Sequence, residues 1–265
     1  MHPDALGRVT AGEQTLRQLR EVDATWAGPA SGSSMAGDDD VWRPLPCSEV
    51  VRNAMLSAHD HLDLVHRVLL DSTQPPPSIA LYSALRGALL GSCLALWVVG
   101  CEDDAERRGR ALSLVAEDYK YRRGFHESQT GSVDFEHAAH SQPWVEHWQR
   151  RQDELEVVRR DFPRLNAGKV TRIVAWVACE MFGSGADAHA LFVGLFQSGS
   201  SAAHGYGWGT FVRPGLTLLG HDSRRELSAF EITVDVDDAA EDYLSCASLL
   251  VLADGLFRRR CSSTQ

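Results

Sequence analysis

The sequence predicts a mainly α-helical protein, a single helical-bundle-like domain of about seven helices with a small β-hairpin before the last helix. Three observations support this fold class. Apolar residues recur at spacings of three and four along most of the 265 residues. Capping residues and prolines separate these stretches, and a period of two is confined to one short region. Residues 12–25 are predicted to form a short polar helix, and residues 28–40 have the Gly, Ser and Asp composition of a flexible linker, so residues 1–40 are predicted to be an appendage and 41–265 the helical domain.

The central element is a helix over residues 79–100, which are apolar on nearly every side and must be covered on all faces. An amphipathic helix capped by Ser48 precedes it and ends at the proline segment from Asp71. Ser78 caps the central helix. Further helices are predicted over 102–123, 143–163, 169–182 and 188–205 and from about Asp238, with a loop or broken helix at 124–142 and a hairpin within 206–237.

Arg86 is the one charge in residues 79–100. A membrane-spanning helix needs about 20 predominantly apolar residues, and a central Arg opposes insertion by roughly 2.5–3.5 kcal/mol. We therefore predict the core helix of a soluble protein, without contact with a membrane.

The composition indicates which partners the protein can bind and in which cellular compartment it occurs. With 26 basic and 36 acidic residues the net charge is -10, which disfavours binding to a phosphate backbone. Six cysteines are scattered without a C-x-x-C pair, which is typical of reduced, packed thiols. The first residues are charged and lack the apolar core of a signal peptide, so we predict a cytoplasmic location.

Arg86 is the sharpest candidate for a functional residue. A guanidinium keeps its proton, so a buried arginine must be paired or solvated. Glu180 and Asp254 lie on apolar faces of their predicted helices and are the candidate partners. Both a structural ion pair and a functional site stay open at this point.

A second candidate is the segment from Ser200 to Gly205, in which Ser200 and His204 share one helix face. In one interpretation His204 interacts with the helix C-terminus and Gly205 supplies the left-handed cap. In the other, His204 is a general acid or base in a pocket. No G-x-S-x-G elbow is present, which argues against a hydrolase nucleophile. The candidate catalytic residues are Arg86, His204, Ser200 and Glu180, and the candidate ligand-binding residues are Trp97, Tyr206, Trp208 and Asp254.

No cofactor is predicted. The chain has neither a Walker A loop nor a G-x-G-x-x-G fingerprint, so nucleotide binding has no motif behind it. Its 11 histidines do not form the Glu plus Glu-x-x-His set of a di-iron bundle, and we predict no metal site.

Two patterns carry a resemblance. Residues 81–97 follow in outline a core helix of the type L-x-R-x-x-L-x-x-x-x-x-L-W, and residues 200–205 read S-x-x-x-H-G. This pairing resembles uncharacterised all-helical proteins common in actinobacteria, which in turn are distantly similar to HEPN-type domains, some of them ribonucleases. The resemblance covers residues 78–205. No Arg precedes His204 at the spacing of the HEPN catalytic motif, so ribonuclease activity is not carried over.

Three function classes follow. The first is a soluble helical protein whose small-molecule pocket lies near Arg86 and His204, and such a protein could also be an enzyme. The second is a HEPN-like defence or toxin protein that acts on nucleic acid as a dimer. The third is a non-catalytic interaction module with a large exposed apolar patch or a self-complementary homodimer face.

Overall fold

The computed structural model describes residues 7–14, 16–17, 26–71, 73–130, 135–183 and 185–263. Within these residues the protein is mainly α-helical, and a two-stranded antiparallel hairpin precedes the last helix, which confirms the predicted fold class. Residues 7–14 are helical as well. The further elements are α1 (Ser34–Asp39), α2 (Cys47–Leu70), α3 (Ser78–Val99), α4 (Asp104–Thr130), α5 (Phe135–Val158), α6 (Val170–Phe182), α7 (Ala186–Ala203), α8 (Trp208–Phe211), β1 (Leu216–Asp222), β2 (Leu227–Ile232) and α9 (Val236–Cys261).

Two compact units make up the chain. The first comprises residues 1–27, 53–96 and 171–256, and the second comprises residues 28–52, 97–170 and 257–265. The predicted division at residue 40 stays a prediction, although residues 28–40 belong to the second unit. An apolar cluster fills the core of the second unit and includes Trp42, Val50, Leu112, Val115, Tyr119 and Leu155.

The central helix α3 is the core element that the sequence predicts. By length and composition it could cross a membrane, but 61% of its most apolar window is buried inside the protein. A core helix of a soluble protein has the same properties, and Leu85 and Leu89 are fully buried. At Gly91 a Cβ atom would lie 2.6 Å from the carbonyl oxygen of Ala54, so the backbones of α2 and α3 approach closely there.

The amphipathic helix α2 also follows its predicted pattern, with Val51, Leu62 and Val65 fully buried. Its cap differs from the prediction. Ser48 is the second residue of the helix, and its backbone N–H and hydroxyl donate to the carboxylate of Asp39 at 2.8 and 2.7 Å. The start of this helix is therefore fixed by an acid nine residues away.

The predicted flexible segment before residue 41 instead contains α1. Its Asp38 has a fully buried side chain that accepts from Arg107 Nε at 2.6 Å and from Arg108 Nε at 2.8 Å. This ion pair overrides the local preference of a Gly- and Ser-rich segment for loop structure. The prediction of a flexible segment, made from composition, was therefore wrong for residues 34–39.

Residues 124–142, predicted as a loop or a broken helix, are helical over most of their described length, and the helix that follows begins earlier than predicted. Helix α4 continues to Thr130, α5 begins at Phe135, and Pro143 lies inside α5 rather than at its start. The hydroxyls of Ser128 and Thr130 donate to backbone carbonyls three residues earlier, which accommodates these polar residues in a helix. Residues 131–134 lie outside the described part.

The hairpin forms at the predicted place, and its strands are exposed. Its strands pair from Leu216 opposite Ile232 to Asp222 opposite Leu227, with an irregularity after Leu218. Nearly every residue of both strands is exposed. The alternation of apolar and polar residues therefore predicted the strands correctly.

Candidate functional site

Arg86 lies on α3, half-buried, and its observed partners are not the predicted acids. Its Nε donates to Ser200 Oγ at 2.6 Å, and the guanidinium lies over the ring of Phe196, 4.9 Å from the ring centroid. Glu180 is exposed on α6 and Asp254 is half-buried on α9, and within the described residues neither forms an ion pair with Arg86. Burial lowers the pKa of Arg86 from its ordinary value.

Gly199 explains how α7 reaches Arg86. A Cβ atom at this position would lie 2.7 Å from Cβ of Arg86 and 2.8 Å from the carbonyl oxygen of Tyr82. Such separations are too short for real Cβ contacts, so α3 and α7 can pack this closely only with glycine here. The close packing brings Ser200 within hydrogen-bond distance of Arg86.

Ser200 and His204 are joined through the backbone, and among the described residues no hydrogen bond joins their side chains. His204 is exposed just beyond the end of α7, and its backbone N–H donates to the carbonyl of Ser200 at 3.0 Å. Gly205 has φ +72°, as the left-handed cap requires. The left-handed cap that the first interpretation assigned to Gly205 is therefore present, and the role of the His204 side chain stays a prediction. The hydroxyl of Ser200 accepts from Arg86, and in the described part of the chain no hydrogen bond joins it to the His204 ring.

The predicted aromatic ligand residues are in different environments. Tyr206 is exposed, with its ring centroid 6.2 Å from that of His204. Trp97 is buried in the second unit, and the guanidinium of Arg110 lies over its ring. Trp208 is 48% exposed at the start of α8 and lines a cleft.

This cleft lies in the first unit and has a volume of about 370 Å³. That value falls in the range of small-molecule sites, roughly 300–1,000 Å³. Helix α7, the segment 208–214 and the first turns of α9 form it, and of the residues described, neither Arg86 nor His204 lines it. Its apolar lining includes Leu191, Leu195, Trp208 and Val212, and its polar lining includes Gln197, Ser198, Arg213, Asp238 and Asp242.

Arg213 is held from three sides in this cleft. Its Nη1 donates to Asp242 Oδ2 at 3.1 Å, and its Nη2 donates to Ser198 Oγ at 2.5 Å. The guanidinium carbon lies 3.5 Å from the ring centroid of Tyr82. The side chains of Arg213 and Asp242 are each 11% exposed. The guanidinium is therefore fixed in one orientation by an acid, a hydroxyl and an aromatic face.

Burial shifts the protonation of the two acids in the cleft. It raises the pKa of Asp242 from 3.8 to about 6, although the charge of Arg213 and its hydrogen bond act in the opposite direction. It also raises the pKa of Asp238. A carboxyl group that titrates near neutral pH in a cleft is typical of ligand-binding and catalytic sites.

Two polar atoms beside the cleft lack partners. The hydroxyl of Tyr82, in a residue that is 3% exposed, and Nε of Arg213 are both buried without a hydrogen bond within the described structure. Both residues line a cavity of about 10 Å³, which shares Ser198, Arg213 and Pro214 with the cleft. This volume is about that of one water molecule, which would satisfy both atoms.

A second polar cavity of about 140 Å³ lies elsewhere in the first unit. His59, His66 and Tyr243 line it, all three are buried, and each has a polar atom without a partner in the described residues. Its volume is sufficient for several water molecules, which would satisfy these atoms. Among the described residues, no group of three or more His, Cys, Asp or Glu side chains is placed to hold a metal ion.

Sequence reasoning missed Ser198, Arg213 and Asp242. Two signals were available: Asp238 and Asp242 are four residues apart on one face of the predicted last helix, and Arg213 stands in an otherwise apolar and Gly/Pro-rich stretch. Neither signal indicates by itself that these residues meet. No family model, no curated protein and no solved structure matches this chain.

Proposed function

We propose that this protein binds a small organic molecule in the cleft formed by α7, segment 208–214 and α9. The observation that carries this proposal is the Arg213 guanidinium clamped between Ser198 and Asp242 in a cleft of about 370 Å³. Polar groups fixed in an otherwise apolar cleft orient a ligand and provide specificity. A carboxyl group with a pKa of about 6 can also exchange a proton with a bound molecule, which is the basis for an enzymatic role.

A fragment screen followed by NMR of the tryptophan indole signals tests the proposal. We expect small amphipathic molecules to shift the Trp208 indole signal, because this side chain lines the cleft and is accessible. Trp208→Leu should abolish their binding. Trp144→Leu is the matched control, since Trp144 is 49% exposed but lies in the second unit, and it should leave binding unchanged. A screen in which every hit binds Trp208→Leu as well as the wild type would refute the proposal.

The other predicted properties stay predictions. The net charge of -10 gives no support to a HEPN-like nucleic-acid function. The exposed apolar residues of the hairpin, such as Leu218 and Leu227, are a feature that an interaction module would require. Homodimer formation and the cytoplasmic location likewise stay predictions.

A further inference from the structure

We infer that the ligand of the cleft is an organic ammonium ion with an apolar substituent, its cationic head held by Asp238 and Asp242 and lying against the face of Trp208. This inference rests on the proposed function of the same cleft. It adds the charge and the chemical class of the ligand.

The charge balance of the cleft indicates a cation. Its lining contains two carboxylates, Asp238 and Asp242, and one guanidinium, that of Arg213. Arg213 is bonded to Asp242, whereas Asp238 has no ion pair among the residues described. The excess negative charge lies in a partly desolvated cleft, where it attracts a positively charged ligand.

The hydrogen-bonding groups point the same way. An ammonium group donates hydrogen bonds and accepts none, so it needs acceptors around it. The two carboxylates that line the cleft are acceptors, and Asp238 also interacts with the hydroxyl of Tyr82. Tyr82 is almost fully buried, and the cavity that it lines shares Ser198 and Arg213 with the cleft. The acceptors available to an ammonium group at this end of the cleft are therefore the two carboxylates.

The rest of the lining selects an organic cation. Trp208 lines the cleft and is 48% exposed, and an indole ring attracts cations through its quadrupole. Leu191, Leu195 and Val212 add an apolar wall for a hydrocarbon substituent. A carboxylate ligand would have to approach two acids, and both terminal nitrogens of the one guanidinium in the lining already donate, to Asp242 and to Ser198. An ammonium with an alkyl or aryl group therefore fits this lining best.

Isothermal titration calorimetry with three probes of similar size tests the inference: 2-phenylethylamine, 2-phenylethanol and 3-phenylpropionate. Butylamine and tetramethylammonium cover smaller cations. We expect the ammonium probes to bind at least about tenfold more tightly than the matched alcohol and carboxylate, which is the ratio expected for one favourable charge pair. Asp238→Asn and Asp242→Asn should each weaken ammonium binding by about tenfold, while binding of the alcohol should change little.

The control is Asp153→Asn, which removes an exposed carboxylate in the second unit and should leave every affinity unchanged. Equal affinity of the amine, the alcohol and the carboxylate, lost together in Trp208→Leu, would overturn the ammonium inference and leave the proposed cleft intact. No binding of any probe or screened fragment up to roughly 10 mM would overturn the proposed function itself. Circular dichroism of each variant separates a loss of ligand contacts from unfolding.

Discussion

Asp242 should destabilise the fold as the pH rises. Burial raises its pKa from 3.8 to about 6, and its side chain is 11% exposed, so the shift reflects a real desolvation cost. Because the folded state holds the proton more tightly, the full contribution to stability is present below about pH 4 and is lost as the pH rises through about 6. The shift corresponds to about 3 kcal/mol of unfolding free energy.

Asp242→Asn removes this titration and keeps an oxygen acceptor for Arg213. Its unfolding free energy relative to wild type should therefore rise by about 3 kcal/mol between about pH 4 and pH 7. Urea denaturation followed by circular dichroism at several pH values measures this difference. The other carboxyl groups are present in both proteins, so their pH-dependent contributions to the unfolding free energy largely cancel in the difference. Asp153→Asn controls for the loss of an exposed carboxylate. A difference between Asp242→Asn and wild type that is constant with pH would refute the reasoning.

Two further predictions concern packing and a buried charge. Gly199→Ala should lower the unfolding free energy by about 1–3 kcal/mol, because its Cβ would collide with the backbone of α3. The control is Gly194→Ala on the same helix, whose Cβ would meet no atom within 4 Å, so this variant should be as stable as the wild type or more stable. Asp38→Ala should cost about 3 kcal/mol, because it removes the buried carboxylate of Arg107 and leaves only the largely exposed carboxylate of Asp104 as its counter-charge. Asp40→Ala, which breaks an exposed ion pair, should change stability by less than about 1 kcal/mol. Urea denaturation of each variant and its control measures these differences in unfolding free energy. If Gly199→Ala and Gly194→Ala, or Asp38→Ala and Asp40→Ala, change the stability equally, the corresponding prediction is contradicted.

The helical fold could be predicted because helical periodicity and caps are local properties of the sequence. Local signals also account for the errors. Three consecutive acids before Val41 look like a solvated segment until one of them, Asp38, is paired with Arg107, 69 residues away. Pro143 looks like a helix start, yet α5 begins at Phe135 and includes it.

The candidate site depends on contacts that the sequence does not encode locally. A buried arginine predicts a partner, but the partner of Arg86 is a hydroxyl 114 residues away, positioned by the close approach at Gly199. Arg213 and Asp242 form an ion pair although the hairpin and the first turn of α9 separate them in the sequence. The predicted tryptophan, Trp208, does line the cleft, because it follows the turn that Gly205 allows at the end of α7.

The most direct test of the cleft as an ammonium site is a carbon-13 NMR titration of the Asp242 carboxyl group, without and with saturating 2-phenylethylamine. We expect a midpoint at about pH 6 in the free protein. Bound ammonium should lower that midpoint, because a nearby positive charge favours the ionised carboxylate, and the Trp208 indole signal should shift at the same amine concentrations. A midpoint that stays the same when the amine is added, with an unchanged Trp208 signal, would contradict the proposed site.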